Sequence, residues 1–356
     1  MRSPFGQWYE TAGVRTGARR MFAQETEAGK VFYPERLVPY LDHEALAGLP
    51  PERRRELTVR HLYQFLLSTT HLETRVVNTT AELIANNRAG LDLPVSARLD
   101  AFKVYCDEGY HALYSLDLAG QIADATGIAI PPWDYGGFVD RLELTGRALL
   151  PDAPALVPLL QTVVFETLIT AVLNEIPNDP SVVGVVRDLT RDHAKDEGRH
   201  HRFFSGFFAE LWTGIDPGLR APVARTLPAL VHACLTWDVE PVRASLLLAG
   251  LDAATADQVV ADCYLGEAAA GQLADTCQAT VRTFQSAGVL DVPGAAEAFA
   301  AHRLLPSPQD PPGRPPSPQD ASGHPPSPQD TSGRLPSPQD PPAQHPTTRH
   351  PSSPRP

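Results

Sequence analysis

Apolar residues recur at three- and four-residue spacing through "ERRRELTVRHLYQFLLSTTHLETRVVNTTAELIANN", residues 52–87. That period predicts a long helix, ended by Gly90 and Pro94. A second helix is predicted over about 95–125, closed by Gly127 and the prolines at 131–132. Residues 131–150 read as a crossover with little regular structure of their own. A third helix is predicted over about 154–176, stopping at Pro177. A fourth is predicted from Ser181, an N-cap after Pro180, to about 212. Further helices fill 219–250 and 254–286, and strand-type alternation between hairpin signals is absent. Long helices joined by a long crossover predict an all-α four-helix bundle with extra helices packed outside it.

The last fifty or so residues break this pattern. From Leu305 the chain runs "LPSPQDPPGR", "PPSPQDASGH", "PPSPQDTSGR", "LPSPQDPPAQ", and about half of its 36 prolines lie here. Proline offers no amide donor, and the segment has almost nothing apolar to bury, so residues 303–356 are expected to be a disordered tail of polyproline II character. Its "PPSP" satisfies P-x-x-P, but a solubilising spacer is the simpler reading. Residues 1–302 form the folded domain.

Charge and cysteine usage narrow the function. With 42 acidic against 30 basic side chains and a formal charge of -12, the chain is a poor partner for nucleic acid or an anionic membrane. The cysteines Cys106, Cys234, Cys263 and Cys277 include no C-x-x-C pair, which fits reduced thiols in a cytoplasmic protein. No signal-peptide core or membrane-length apolar run is present, and the most apolar stretch, "LLPDAPALVPLLQTVVFETLITAVL", carries prolines and acids.

The chemistry lies in a repeated pentapeptide. "DEGYH" occupies 107–111 and "DEGRH" occupies 196–200, each inside a predicted helix. In Glu-x-x-His the two side chains share one helical face, a turn apart, and can address the same point. One such motif on each of two helices plus one carboxylate on each of two others is the ligand set of a carboxylate-bridged dinuclear metal site. The second helix supplies Glu108 and His111, and the fourth supplies Glu197 and His200. The third offers Glu166, an acid in an otherwise apolar stretch. The first offers Glu73 among apolar neighbours, with Glu82, nine residues on in a more polar context, as its competitor. Glu73 precedes its motif by 35 residues (73 to 108) and Glu166 by 31 (166 to 197), so the two halves share one ligand order. Gly109 and Gly198 are read as points where a neighbouring helix or a channel approaches closely. Asp107, Asp192 and Asp196 are candidates for orienting the histidine rings.

His193, four residues before Glu197, adds a third ligand to the fourth helix. The resulting order is Glu, Glu-x-x-His, Glu, His-x-x-x-Glu-x-x-His. Here the chain resembles the p-aminobenzoate N-oxygenase (AurF-like) di-iron oxygenases, over about residues 55–205. The resemblance implies a ferritin-like bundle holding two iron ions, with manganese as the alternative metal. Its ligands would be Glu73, Glu108, His111, Glu166, His193, Glu197 and His200. It implies O2 as co-substrate, transfer of oxygen to a small-molecule amine, and a homodimer. His201, about 100° out of phase, belongs outside the ligand set.

No dinucleotide fingerprint or cluster-type cysteine spacing is present, so electrons must come from a separate reductase, a small carrier or a chemical reductant. The positions sharing a face with Glu73 are Leu66, Thr69, Thr70, Val77 and Thr80, and those near Glu166 are Thr162, Val163 and Thr170. None is cationic, which argues against a free aromatic carboxylate unless Arg141 or Arg147 reaches in. A neutral aryl- or alkylamine, free or carried on a protein, fits as well. Three other uses of such a centre remain in view: C–H hydroxylation, ferroxidase or storage activity, and radical generation at Tyr105 or Tyr110.

Overall fold

The computed structural model describes residues 3–305, apart from 24–28, 169–172, 174 and 267–274. It is all-α, and the β-structure among the described residues is an isolated parallel bridge between Val31 and Val182. The long helices are α1 (Pro51–Leu72), α2 (Asn78–Ala85), α3 (Val95–Thr126), α4 (Gly137–Leu149), α5 (Leu156–Leu168) and α6 (Gly184–Gly214). Outside them pack α7 (Pro217–Leu235), α8 (Val239–Leu248), α9 (Ala253–Tyr264), α10 (Gln278–Ser286) and α11 (Ala295–Ala301). No helix among the described residues is long and apolar enough to cross a membrane. Leu304 is buried against the core, so the packed unit continues past His302. The repeat tail from residue 306 lies outside the described residues.

Local chemistry sets the boundaries. Proline at the first position starts α1 and α7, where a missing amide donor costs nothing. Asp216 and Asp252 accept backbone N–H groups at the starts of α7 and α9. Gly127, at φ 70°, closes α3 in the left-handed conformation. The fourth bundle helix begins at Gly184 and not at Ser181. Val31 exchanges hydrogen bonds with Ser181 and Val183, which holds that stretch extended, and the Ser181 hydroxyl turns back to Asp179.

Two other expectations are corrected. The crossover is helical over Gly137–Leu149, and its glycines disguised it. Gly146 lets α4 and α5 touch, since a Cβ there would sit 2.5 Å from Val157 Cγ1. The apolar run over 219–250 is two helices separated at 236–238.

The first predicted helix is continuous in direction but not in ladder. Between α1 and α2, residues Glu73–Val77 form a π turn in which Asn78 N–H donates to Glu73 O. A π turn slips the side-chain phase by one residue and is found at functional positions.

Two apolar cores stack along the bundle. One gathers Leu57, Leu62, Leu66, Leu118, Ile122, Val186 and Leu189. The other gathers Val76, Val77, Ala101, Val104, Leu160, Val163, Phe203, Phe204 and Phe207. On α3 and α6 the residues between the two cores are acids and histidines.

Gly109 and Gly198 do not mark close approaches. A Cβ at either would meet nothing within 4 Å, because both point away from the bundle interior. A helical glycine with open space beside it costs about 1 kcal/mol relative to alanine. Gly109→Ala should therefore raise stability by about 1 kcal/mol in denaturant titration, and a loss would mean that an unseen neighbour occupies that space.

Candidate metal centre

The seven residues singled out in sequence meet in the layer between the cores. Glu73 begins the π turn, Glu108 and His111 come from α3, Glu166 from α5, and His193, Glu197 and His200 from α6. Each is at most 2 % exposed. Ligand atoms of Glu73, Glu108, His111, His193 and Glu197 lie within 4.8 Å of one another, as do those of Glu108, Glu166 and His200. Glu108 belongs to both groups. Its Oε2 is 2.7 Å from His111 Nδ1 and its Oε1 is 2.7 Å from His200 Nδ1. Glu197 Oε1 is 3.1 Å from His193 Nε2 and 3.3 Å from His200 Nδ1. His193 Nε2 is also 3.4 Å from Glu73 Oε1.

Glu82 is not part of this layer. Nine residues of helix turn it about half a revolution from Glu73, and it bonds Arg88 and Asn86 at the surface.

The first residue of each pentapeptide explains the repeat. Asp107 on α3 reaches across to His200 on α6, with Oδ2 3.2 Å from Nε2. Asp196 on α6 reaches back to His111 on α3 at 3.3 Å. Each motif thus supplies a glutamate and a histidine to the centre and an aspartate to the other motif's histidine. With Nε2 held by the aspartate, each ring presents Nδ1 inward. Asp192 does not share this role, because it faces Arg20 and Lys195.

A further layer comes from the N-terminal segment, which sequence reasoning missed. Trp8 Nε1 donates to both carboxylate oxygens of Asp107, at 2.9 and 2.8 Å. Gly13 N–H donates to Asp196 Oδ2 at 3.3 Å, and Arg199 pairs with the same carboxylate. A Cβ on Gly13 would stand 3.0 Å from that oxygen, so any larger residue would press on the carboxylate. Phe5 packs against the His200 ring. These contacts span 99 and 183 residues of chain, and no periodicity announces them.

Tyr114 was also missed. It is one turn past His111, with its ring 5.4 Å from His111 and 6.0 Å from His193, and its hydroxyl is buried without a partner. Tyr105, in contrast, is exposed, and Tyr110 packs on the outer side of Tyr114. His201 stays out of the ligand set and approaches the backbone carbonyl of Glu166 at 3.3 Å.

The donor set fits metal cations. Both oxygens of Glu73 and of Glu166, Glu108 Oε1 and Glu197 Oε2 are buried without an aligned hydrogen bond, although His200 lies 2.7 Å from Glu108 Oε1 and His193 3.4 Å from Glu73 Oε1. Six such oxygens in one layer would be costly unless cations or protons meet them. Burial, with Glu108 and Glu197 nearby, pushes the Glu73 and Glu166 carboxyls well above their usual range. Burial acts the same way on Glu108, but His200 and His111 outweigh it and hold this carboxyl at about 2. Glu197 is likewise driven down, despite its burial, chiefly by His200 and His193. Burial opposes the charged form of His111 and His200, yet Glu108 and its neighbours raise His111 to about 10 and His200 well above the ordinary value. Burial lowers His193.

Beside this layer lies a cavity of about 590 Å³. Its inner wall carries Thr69, Leu72 and Phe165. Leu72 and Phe165 immediately precede Glu73 and Glu166. Phe65, Phe138, Leu235 and Trp237 are among its other apolar lining residues. Of the other positions expected to face a pocket, Thr162 and Thr80 bond each other at 2.8 Å, and Leu66 and Val163 lie in the core. Thr170 lies outside the described residues. Neither Arg141 nor Arg147 reaches the carboxylates. Arg141 bonds Asp238 and the Thr236 carbonyl, and Arg147 pairs with Glu143 at the surface.

The family model for the P-aminobenzoate N-oxygenase AurF matches residues 20–288, well over half of the chain. A comparison with curated proteins returns no match.

Two outcomes follow from the geometry. Trp8→Phe keeps the ring but frees Asp107, so metal affinity in competition with a chelator should fall about 10- to 100-fold, and an unchanged affinity would remove Trp8 from the site. The second concerns protons. Glu73 and Glu166 are shifted towards the protonated carboxyl and His111 and His200 towards the imidazolium, and metal must displace the protons these groups hold. Loading with Fe(II) should therefore release protons, and affinity should weaken as pH falls. An indicator-dye titration checks this, and loading without proton release would refute the charge assignment.

Proposed function

Since the chain belongs to the p-aminobenzoate N-oxygenase AurF family, we propose that it is a di-iron monooxygenase that inserts oxygen into the nitrogen–hydrogen bond of a small-molecule amine. The supporting observation is the meeting of seven buried acids and histidines from four helical segments in two groups that share Glu108. In this reading Glu73, Glu108, His111, His193 and Glu197 would hold one ion, and Glu108, Glu166 and His200 would hold the other. Oxygen and imidazole donors suit iron or manganese. When bound, the two ions supply reductive activation of O2.

The protein's own groups prepare that chemistry. Asp107 and Asp196 orient His200 and His111, and Trp8 and Gly13 fix those aspartates. Leu72 and Phe165 exclude water between the carboxylate layer and the cavity. The amine lies along the apolar cavity with its nitrogen towards that wall. The overall change is R–NH2 + O2 + 2 electrons + 2 protons to R–NHOH + H2O, with further rounds leading towards a nitro product. The electrons come from a separate reductase or small carrier, and the expected assembly is a homodimer.

Anaerobic loading, chemical reduction and exposure to O2 with an arylamine test the proposal. Metal analysis should give about two irons per chain, and mass spectrometry should find the hydroxylamine with one atom from labelled O2. Glu166→Ala and His200→Ala should each lose both the second iron and the product. A wild-type chain that binds fewer than one iron, or that transfers no labelled oxygen, would defeat it.

A further inference from the structure

The cavity is far longer than its inner wall requires. His61, Gln64, Phe65, Ser68, Thr69 and Leu72 form one stripe of α1 along it. The eleven steps from His61 to Leu72 correspond to about 16 Å of helix. A single-ring amine with its nitrogen at Leu72 and Phe165 reaches less than half of that distance.

The far end is polar in a specific way. His61 is 5 % exposed and its Nδ1 is buried without a hydrogen-bond partner. Tyr264, also lining the cavity, has a buried hydroxyl with no partner. The Tyr33 ring stands edge-on to His61 at 4.6 Å, and Trp237 stands edge-on to Tyr264 at 5.5 Å. Aromatic rings thus hold both groups while leaving their polar atoms unused. Buried polar atoms in folded proteins are nearly always paired, so two at one cavity end point to a partner from outside the chain. Burial lowers His61 to about 4, so its ring is neutral and can both donate and accept. Of the charged lining groups, Asp238 is taken by Arg141, and Arg303 is exposed.

We infer that the substrate is an elongated, uncharged amine whose aromatic body lies along α1 and whose far end gives a neutral hydrogen-bonding group, a hydroxyl or amide, to His61 and Tyr264. This rests on reading the cavity as the amine site of the oxygenase. His61 and Tyr264 are specificity residues, remote from the reacting nitrogen.

Equilibrium dialysis of the full iron-loaded chain tests it with four probes: 4-amino-4′-hydroxybiphenyl, 4-aminobiphenyl, 4′-aminobiphenyl-4-carboxylate and 4-aminophenol. The hydroxybiphenyl should bind about tenfold tighter than each of the others, the gain of one good neutral hydrogen bond or of one ring's burial. Tyr264→Phe, which removes only the hydroxyl, and His61→Phe should each erase that preference over 4-aminobiphenyl while leaving 4-aminobiphenyl itself within about twofold. Equal affinities, tightest binding of the carboxylate or of 4-aminophenol, or a ranking unmoved by Tyr264→Phe would overturn the inference. Binding needs no turnover, so the two readings fail separately. Absent iron or oxygen transfer with this ranking intact rejects only the oxygenase, and intact oxygen transfer without the ranking rejects only the substrate assignment.

Discussion

Repulsion among four buried carboxylates governs this protein. Glu73, Glu108, Glu166 and Glu197 occupy one layer from which water is excluded by apolar cores on either side. Charges of one sign at such distances in a medium of low polarity cannot coexist without compensation. The histidines offset part of it, which is why Glu108 and Glu197 stay ionised while Glu73 and Glu166 are driven towards their protonated forms. Divalent cations would satisfy the remaining oxygens in a way no side chain in the layer does. The layer is therefore poor as a source of stability and well suited to holding metal.

The surrounding structure serves to keep that unfavourable arrangement in register. α3 and α6 bring the pentapeptides face to face, α5 delivers a single acid from an apolar helix, and α1 hands over Glu73 where its regular ladder ends and the π turn begins. The same helix does two jobs. Its residues from His61 to Leu72 present one stripe to the cavity, and Glu73, one position on, turns to the carboxylate layer.

The sequence was legible wherever function imposed a short-range pattern. Glu-x-x-His twice, His193 one turn earlier and two lone acids in apolar stretches were enough to name every side chain that meets in the layer, because helical spacing fixes direction. Asp107 and Asp196 were legible for the same reason, although the crossing of their partners was not. Trp8 and Gly13 were illegible because they reach the site from a segment with no periodic signal, and Tyr264, at the end of an expected helix, was illegible because its place in the cavity depends on tertiary contacts alone. α4 was hidden by its own glycines, one of which exists for a close helix crossing. The repeated Gly109 and Gly198 misled in the opposite sense, since repetition suggested a role and the space beside them is open.

The exchange of aspartates between the two pentapeptides also ties the halves of the centre together. Each histidine meets a glutamate of its own helix through Nδ1 and the aspartate of the other helix through Nε2. A shift of α3 disturbs its own Glu108 and His111 and, through Asp107, the ring of His200 on α6; a shift of α6 does the converse. Were metal to occupy one of the two donor groups, it would stiffen the donors of the other, so the pair would fill as a cooperative unit.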